Sequence, residues 1–148
     1  EQSGFIQWGS AQTLLRRHQE DFVHRTPSRI AAFLAREYKA ARAAEDRGQI
    51  DQSWHHLERA HIVAQAWLKP HCYSHWRMLG LAFRQNDWRE VSGQIFRLAI
   101  APLGNASGRL PVGNTGRSNV SAFAPMEIPA DLSAKIENTS PDAGENFQ

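Results

Sequence analysis

Residues 54–83 read WHHLERAHIVAQAWLKPHCYSHWRMLGLAF, and this stretch decides the fold. Trp54, Leu57, His61, Ala64 and Leu68 follow a three-four spacing that lays them on one face of a helix. Pro70 marks the end of that helix. Cys72, Trp76, Leu79 and Phe83 repeat the spacing in a second helix. Five of the seven histidines fall in the same run: His55, His56, His61, His71 and His75. They straddle the junction of the two helices, so their imidazoles can converge in the fold.

Working outward, Thr26-Pro27 is a helix start, a hydroxyl N-cap followed by proline in the first turn. Ile30, Phe33, Leu34, Glu37, Ala41 and Ala44 then recur at helical spacing, and Gly48 closes the helix. Asp51 caps the next one. Downstream, Asn86-Asp87 turns the chain. Asp87 with Glu90 forms a D-x-x-E capping box, and Glu90 is assigned no other chemistry. The fourth helix carries Val91, Ile95, Leu98 and Ala99 and is stopped by Pro102. Residues 103–119, LGNASGRLPVGNTGRSN, are rich in turn formers. Val120, Phe123, Met126 and Ile128 are spaced by prolines and read as an extended strap across the helices. Trp76-x-x-Leu79-Gly80-x-x-Phe83, with Ser92, Phe96 and Ala99, resembles the tetratricopeptide pattern of large and small residues.

The expected fold is therefore all-α: two tetratricopeptide-like antiparallel helix pairs with a non-helical C-terminal strap. The domain spans 26–132, with the strap at 103–132. Residues 1–25 form an N-terminal extension in which 12–23 can make one amphipathic helix. Residues 133–148 read as a polar, flexible tail.

A chain of 148 residues suits one domain. The net charge is only +2, and basic and acidic residues are intermixed. No concentrated basic face is present, which sets nucleic acid aside. No apolar run approaches the ~20 residues of a membrane span. A single cysteine, Cys72, excludes an internal disulfide and points to a reducing, cytoplasmic setting. Cys72 shares a stripe with Trp76 and Leu79 and reads as a buried structural thiol. Trp54, Trp67, Trp76 and Trp88 read as core residues.

The candidate chemistry is a metal site. Glu58 and His61 are three apart and His71 and His75 four apart, so each pair leaves one helix face. Glu37 lies on an apolar stripe, where a carboxylate is costly unless paired or ligated. Packing of the second helix on the third brings Glu58 and His61 toward His71 and His75. Imidazoles with a carboxylate suit zinc or iron. The competing reading is a satisfied polar network, with Glu37 bonded to Arg59 or His61 and His75 donating to a backbone carbonyl. A second candidate is the loop 104–119, whose backbone N–H groups can form an anion nest helped by Arg109, Asn114 and Arg117. It has no G-x-x-x-x-G-K-[ST] and no strand leading into it, so the alternative is a strap whose Asn side chains bond helix ends. No G-x-S-x-G nucleophile elbow occurs.

The run His56-Leu57-Glu58-Arg59-Ala60-His61, then His75-Trp76, then GRLPVGNTGRSNVSAFAPMEIP, resembles a family of short bacterial proteins known only as a domain of unknown function. The resemblance covers roughly residues 29–132, and GNTGRSNVSAF is its most specific part. It implies a bacterial source and a heavy-metal-resistance context, but no agreed activity. Three function classes follow. The first is a helical binding or adaptor protein that takes a protein partner or forms a homodimer. The second is a zinc- or iron-binding accessory protein. The third, least supported by two shallow helix pairs, is a small metal-dependent enzyme.

Overall fold

The computed structural model describes residues 26–107 and 111–137. Within them the chain is all-α, with five helices: α1 (Ser28–Asp46), α2 (Ile50–Ala64), α3 (Leu68–Arg84), α4 (Trp88–Ser107) and α5 (Ala130–Glu137). α1 packs on α2 and α3 on α4, α2 joins the two hairpins by facing α3, and α5 docks on α2. The helix expected over 12–23 lies outside the described residues. No described helix is long and apolar enough to cross a membrane.

The first hairpin follows its sequence pattern. Ile30, Phe33, Leu34, Tyr38, Ala41 and Ala44 of α1 are buried, against Trp54, Leu57 and Ala60 of α2. Gly48, at φ +73°, makes the turn between them in a conformation that side chains rarely adopt. The start signals act differently from expectation. Pro27 occupies the N-cap of α1 and no side chain caps it. α2 begins one residue before Asp51, which lies in its first turn and favours the positive end of the helix dipole.

Both prolines expected to end helices sit inside them. α2 stops at Ala64, and Pro70 falls in the first turn of α3, where a missing N–H costs nothing. α4 runs through Pro102 to Ser107, giving up one ladder hydrogen bond. Beyond the strap, α5 carries helix past position 132 into the stretch read as tail. Its Leu132 is fully buried in the core, and Asp131 pairs with Arg59 at 2.6 Å.

The second hairpin has its faces exchanged. α3 buries His71, Ser74, His75, Met78, Leu81 and Ala82. Trp76 is 62% exposed and Phe83 59%, and Cys72 is only half-buried. α4 buries Glu90, Gln94, Arg97 and Ala101, whereas Trp88, Ile95 and Phe96 are exposed. The stripe expected from hydrophobic spacing is thus out by one position in α3 and points outward in α4. Trp76 and Trp88 do not fill the core. The reason is chemical: the inward faces carry polar groups that satisfy one another.

Candidate metal centre

The first side chain of the site comes from the end of α2 and the other two from successive turns of α3. His61, His71 and His75 are all buried, and one ring nitrogen from each lies within 4.8 Å of the others. The Nε2 atoms of His61 and His75 are 3.2 Å apart. Two nitrogens on one tetrahedral zinc, at Zn–N of about 2.05 Å, are separated by about 3.3 Å.

The outer nitrogen of each ring is held by an oxygen. His61 Nδ1 donates to the backbone carbonyl of Asn114 at 2.9 Å. His71 Nδ1 donates to Asn105 Oδ1 and His75 Nδ1 to Gln94 Oε1, each at 2.8 Å. These roles cannot be reversed. Gln94 spends its amide hydrogens on Glu90 Oε1 and the Gly116 carbonyl, both at 2.8 Å. Asn105 spends an amide hydrogen on the Gln65 carbonyl at 3.0 Å. Both amides must therefore turn their oxygens to the histidines. All three rings carry their proton on Nδ1, which leaves a lone pair on each Nε2; those of His61 and His75 face each other, and the His71 ring centre lies 5.0 Å from both of theirs.

Protons compete poorly for these lone pairs. Burial, followed by the neighbouring imidazoles of His75 and His71, holds His61 well below the usual histidine range. Burial pushes His75 down to about 3, helped by His71. Burial also lowers His71, against the opposing Asn105 bond. Neutral imidazole is the form that ligates metal.

A further layer supports the cluster. Burial pushes the Glu90 carboxyl up, but bonds from Ser118 and Gln94 and the charge of Arg117 outweigh it and hold the group below the ordinary carboxylate range. Ser118 Oγ donates to Glu90 Oε2 at 2.6 Å, and its amide donates to the same carboxylate. Two glycines permit this approach. A Cβ at Gly93 would lie 2.3 Å from that of Ser118, and one at Gly116 would lie 2.8 Å from the His61 ring. Gly116 also sits at φ +83°.

The two carboxylates proposed with the histidines are placed elsewhere. Glu58 bonds Arg117 Nη1 at 3.2 Å. Glu37 bonds His56 Nδ1 at 2.7 Å and Arg59 Nε at 3.2 Å. The loop residues are likewise engaged within the fold. Asn114 Oδ1 accepts the Gly116 N–H, and its Nδ2 donates to the carbonyls of Ser121 and Ala124. Arg117 stacks 3.8 Å from the Trp54 ring centre. Its Nε lies 3.2 Å from Glu90 Oε2 as a charge pair without a directed hydrogen bond. Arg109 lies outside the described residues.

Sequence reasoning missed Gln94, Asn105 and Arg97, and it gave Glu90 only a cap. Half of that cap exists, since Asp87 Oδ1 accepts the Glu90 N–H at 3.0 Å. The Glu90 side chain turns inward instead. A signal was present: Glu90, Gln94, Arg97 and Ala101 share one helical face. A cavity of about 500 Å³ opens beside the imidazoles, with Arg97, Ile100, Leu103 and Phe123 among its walls.

No curated protein and no solved structure matches the chain. A family profile described as "Protein of unknown function (DUF3703)" matches residues 28–136, the helices and strap that build the histidine cluster. The chain belongs to that DUF3703 family.

Proposed function

We propose that this protein binds one divalent transition-metal ion, zinc or iron, through the Nε2 atoms of His61, His71 and His75. One observation carries the reading: each imidazole donates its Nδ1 proton to an oxygen whose orientation is itself fixed, so the three lone pairs face inward together. A polar network built only for stability gains nothing from such convergence, because acceptors facing acceptors repel. Three protein nitrogens beside a cavity match metal sites that keep a position open for an exogenous ligand.

Elemental analysis of the purified full chain tests the proposal, followed by zinc titration against a chromophoric chelator. Near-stoichiometric metal is expected. His71→Leu is expected to lower zinc affinity by more than about 100-fold, beyond the range for loss of a supporting hydrogen bond. Metal-free protein whose melting temperature ignores both added zinc and added iron would sink the reading. The adaptor reading would then take precedence, supported by the exposed apolar side chains Trp76, Phe83, Trp88, Ile95 and Phe96.

A further inference from the structure

The geometry points to an exogenous ligand for this centre: a small monocarboxylate with an apolar body, its carboxylate binding the ion beside Arg97 and its hydrocarbon lying in the adjoining cavity. This inference rests on the metal-binding reading above.

Charge is the first support. Three neutral imidazoles leave a divalent ion with its full charge, and Arg97 adds another at the same cavity. Among the described residues, no acidic side chain lines that space. Glu58 and Glu90 share one cation, Arg117, with Glu90 also bound to Ser118 and Gln94, so their one surplus negative charge offsets Arg97 and the excess that remains is that of the ion itself. A buried excess of positive charge is costly unless an anion joins it.

The position of Arg97 is the second support. It is buried, and its Nη2 donates to the strap carbonyls of Arg117 and Val120 at 2.7 and 2.6 Å. These bonds fix the guanidinium at the cavity wall, and no carboxylate among the described residues pairs with it.

The walls are the third support. Beyond the polar floor come Ile100, Ala101, Leu103, Pro111, Ala122 and Phe123. A volume of about 500 Å³ exceeds the needs of water or hydroxide alone and lies within the range of small-molecule sites. Apolar surface there favours a ligand with hydrocarbon behind its charged end.

The test uses the full chain loaded with cobalt(II), whose visible spectrum reports its coordination. Sodium acetate, butyrate, hexanoate and benzoate are titrated at constant ionic strength, with benzamide as the uncharged control. A saturable spectral change is expected, tightening about fourfold per methylene from acetate to butyrate. Benzamide is expected to have no effect. Leu103→Glu, at a 70% exposed position of the cavity wall where the fold tolerates charge, is expected to weaken butyrate at least tenfold. Arg97→Lys is expected to weaken every carboxylate while retaining the metal. A cobalt spectrum indifferent to all four salts, equal affinity across the series, or an equal response to benzamide would each overturn the inference and leave the metal site standing. Failure to take up cobalt, zinc or iron at all removes the metal reading itself, and this inference with it.

Discussion

The two hairpins share length and packing but bury opposite chemistry. Between α1 and α2 the interior is apolar, from Ile30 and Leu34 to Leu57 and Ala60. Between α3 and α4 the inward positions include His71, Ser74, His75, Glu90, Gln94 and Arg97 beside Met78, Leu81 and Ala82, and Trp76, Phe83, Trp88, Ile95 and Phe96 face out. The first hairpin stabilises the domain by removing hydrocarbon from water. The second adds Met78, Leu81 and Ala82 to the same core, and its polar groups are tolerable because each is hydrogen-bonded. Buried polar groups are thus concentrated in the second hairpin, completed by His61 of α2, while most of the apolar core comes from the first.

The sharpest way to break this division is Leu57→Ala. Leu57 is 2% exposed within the apolar cluster, and its truncation is expected to cost about 2–5 kcal/mol. The loss measured by urea denaturation is expected to be the same with and without zinc. A strongly zinc-dependent loss would show that the halves are not separate.

Asn114→Ala comes next. It removes the two bonds that Nδ2 gives to Ser121 and Ala124 and the acceptor for the Gly116 N–H. A cost of about 2–3 kcal/mol is expected from these lost bonds. Zinc affinity is expected to fall as well, because the same residue's carbonyl orients His61. Unaltered zinc affinity would mean that the strap does not position the ring.

Gln94→Leu tests the polar half alone. It removes the acceptor for His75 and leaves Ser118 on Glu90. Zinc affinity is expected to drop about 10- to 100-fold, which narrows the stability gap between zinc-loaded and zinc-free protein by about 1.4–2.8 kcal/mol. An unchanged gap would remove Gln94 from the site.

Acidity gives a smaller effect with a defined sign. Glu90 is held below the ordinary carboxylate value of 4.5. The unfolded chain therefore takes up its proton first. The stability that Glu90 contributes is complete above about pH 4.5 and is lost as pH falls through its lower folded value. Glu90→Gln is expected to flatten the dependence of the urea midpoint on pH over that interval. Parallel wild-type and variant curves would refute the assignment. The least effect is expected from Phe96→Ser, at 52% exposure: within about 0.5 kcal/mol, with zinc affinity untouched.

The legibility of the sequence divides along the same line. Helix existence was readable for α1 to α4 but not for α5, whose residues read as strap and tail, and α1 and α2 were readable down to most of their buried residues, because there hydrophobicity largely selects the inward face. The same rule chose Trp76 and Phe83 for α3 and failed, since mutual hydrogen bonding outweighed their burial. His61, His71 and His75 were legible as a group from density and spacing. Their orienting partners were not, because Asn105 and Asn114 reach them across 34 and 53 residues of chain. Glu58 was drawn away by Arg117, a contact 59 residues distant that local spacing does not encode.

The carbonyl of Asn114 on His61 also imposes an order of events. The three imidazoles are brought together by neighbouring helices, contacts that form early because little chain must be organised. The oxygen that fixes the last ring belongs to a segment synthesised 53 residues later. A nascent chain ending at α4 has every nitrogen of the cluster but has not yet acquired the group that dictates the protonation pattern of His61. Under the proposed metal-binding reading, competence to hold an ion is therefore a late acquisition of folding, gained only when the final stretch closes over the bundle.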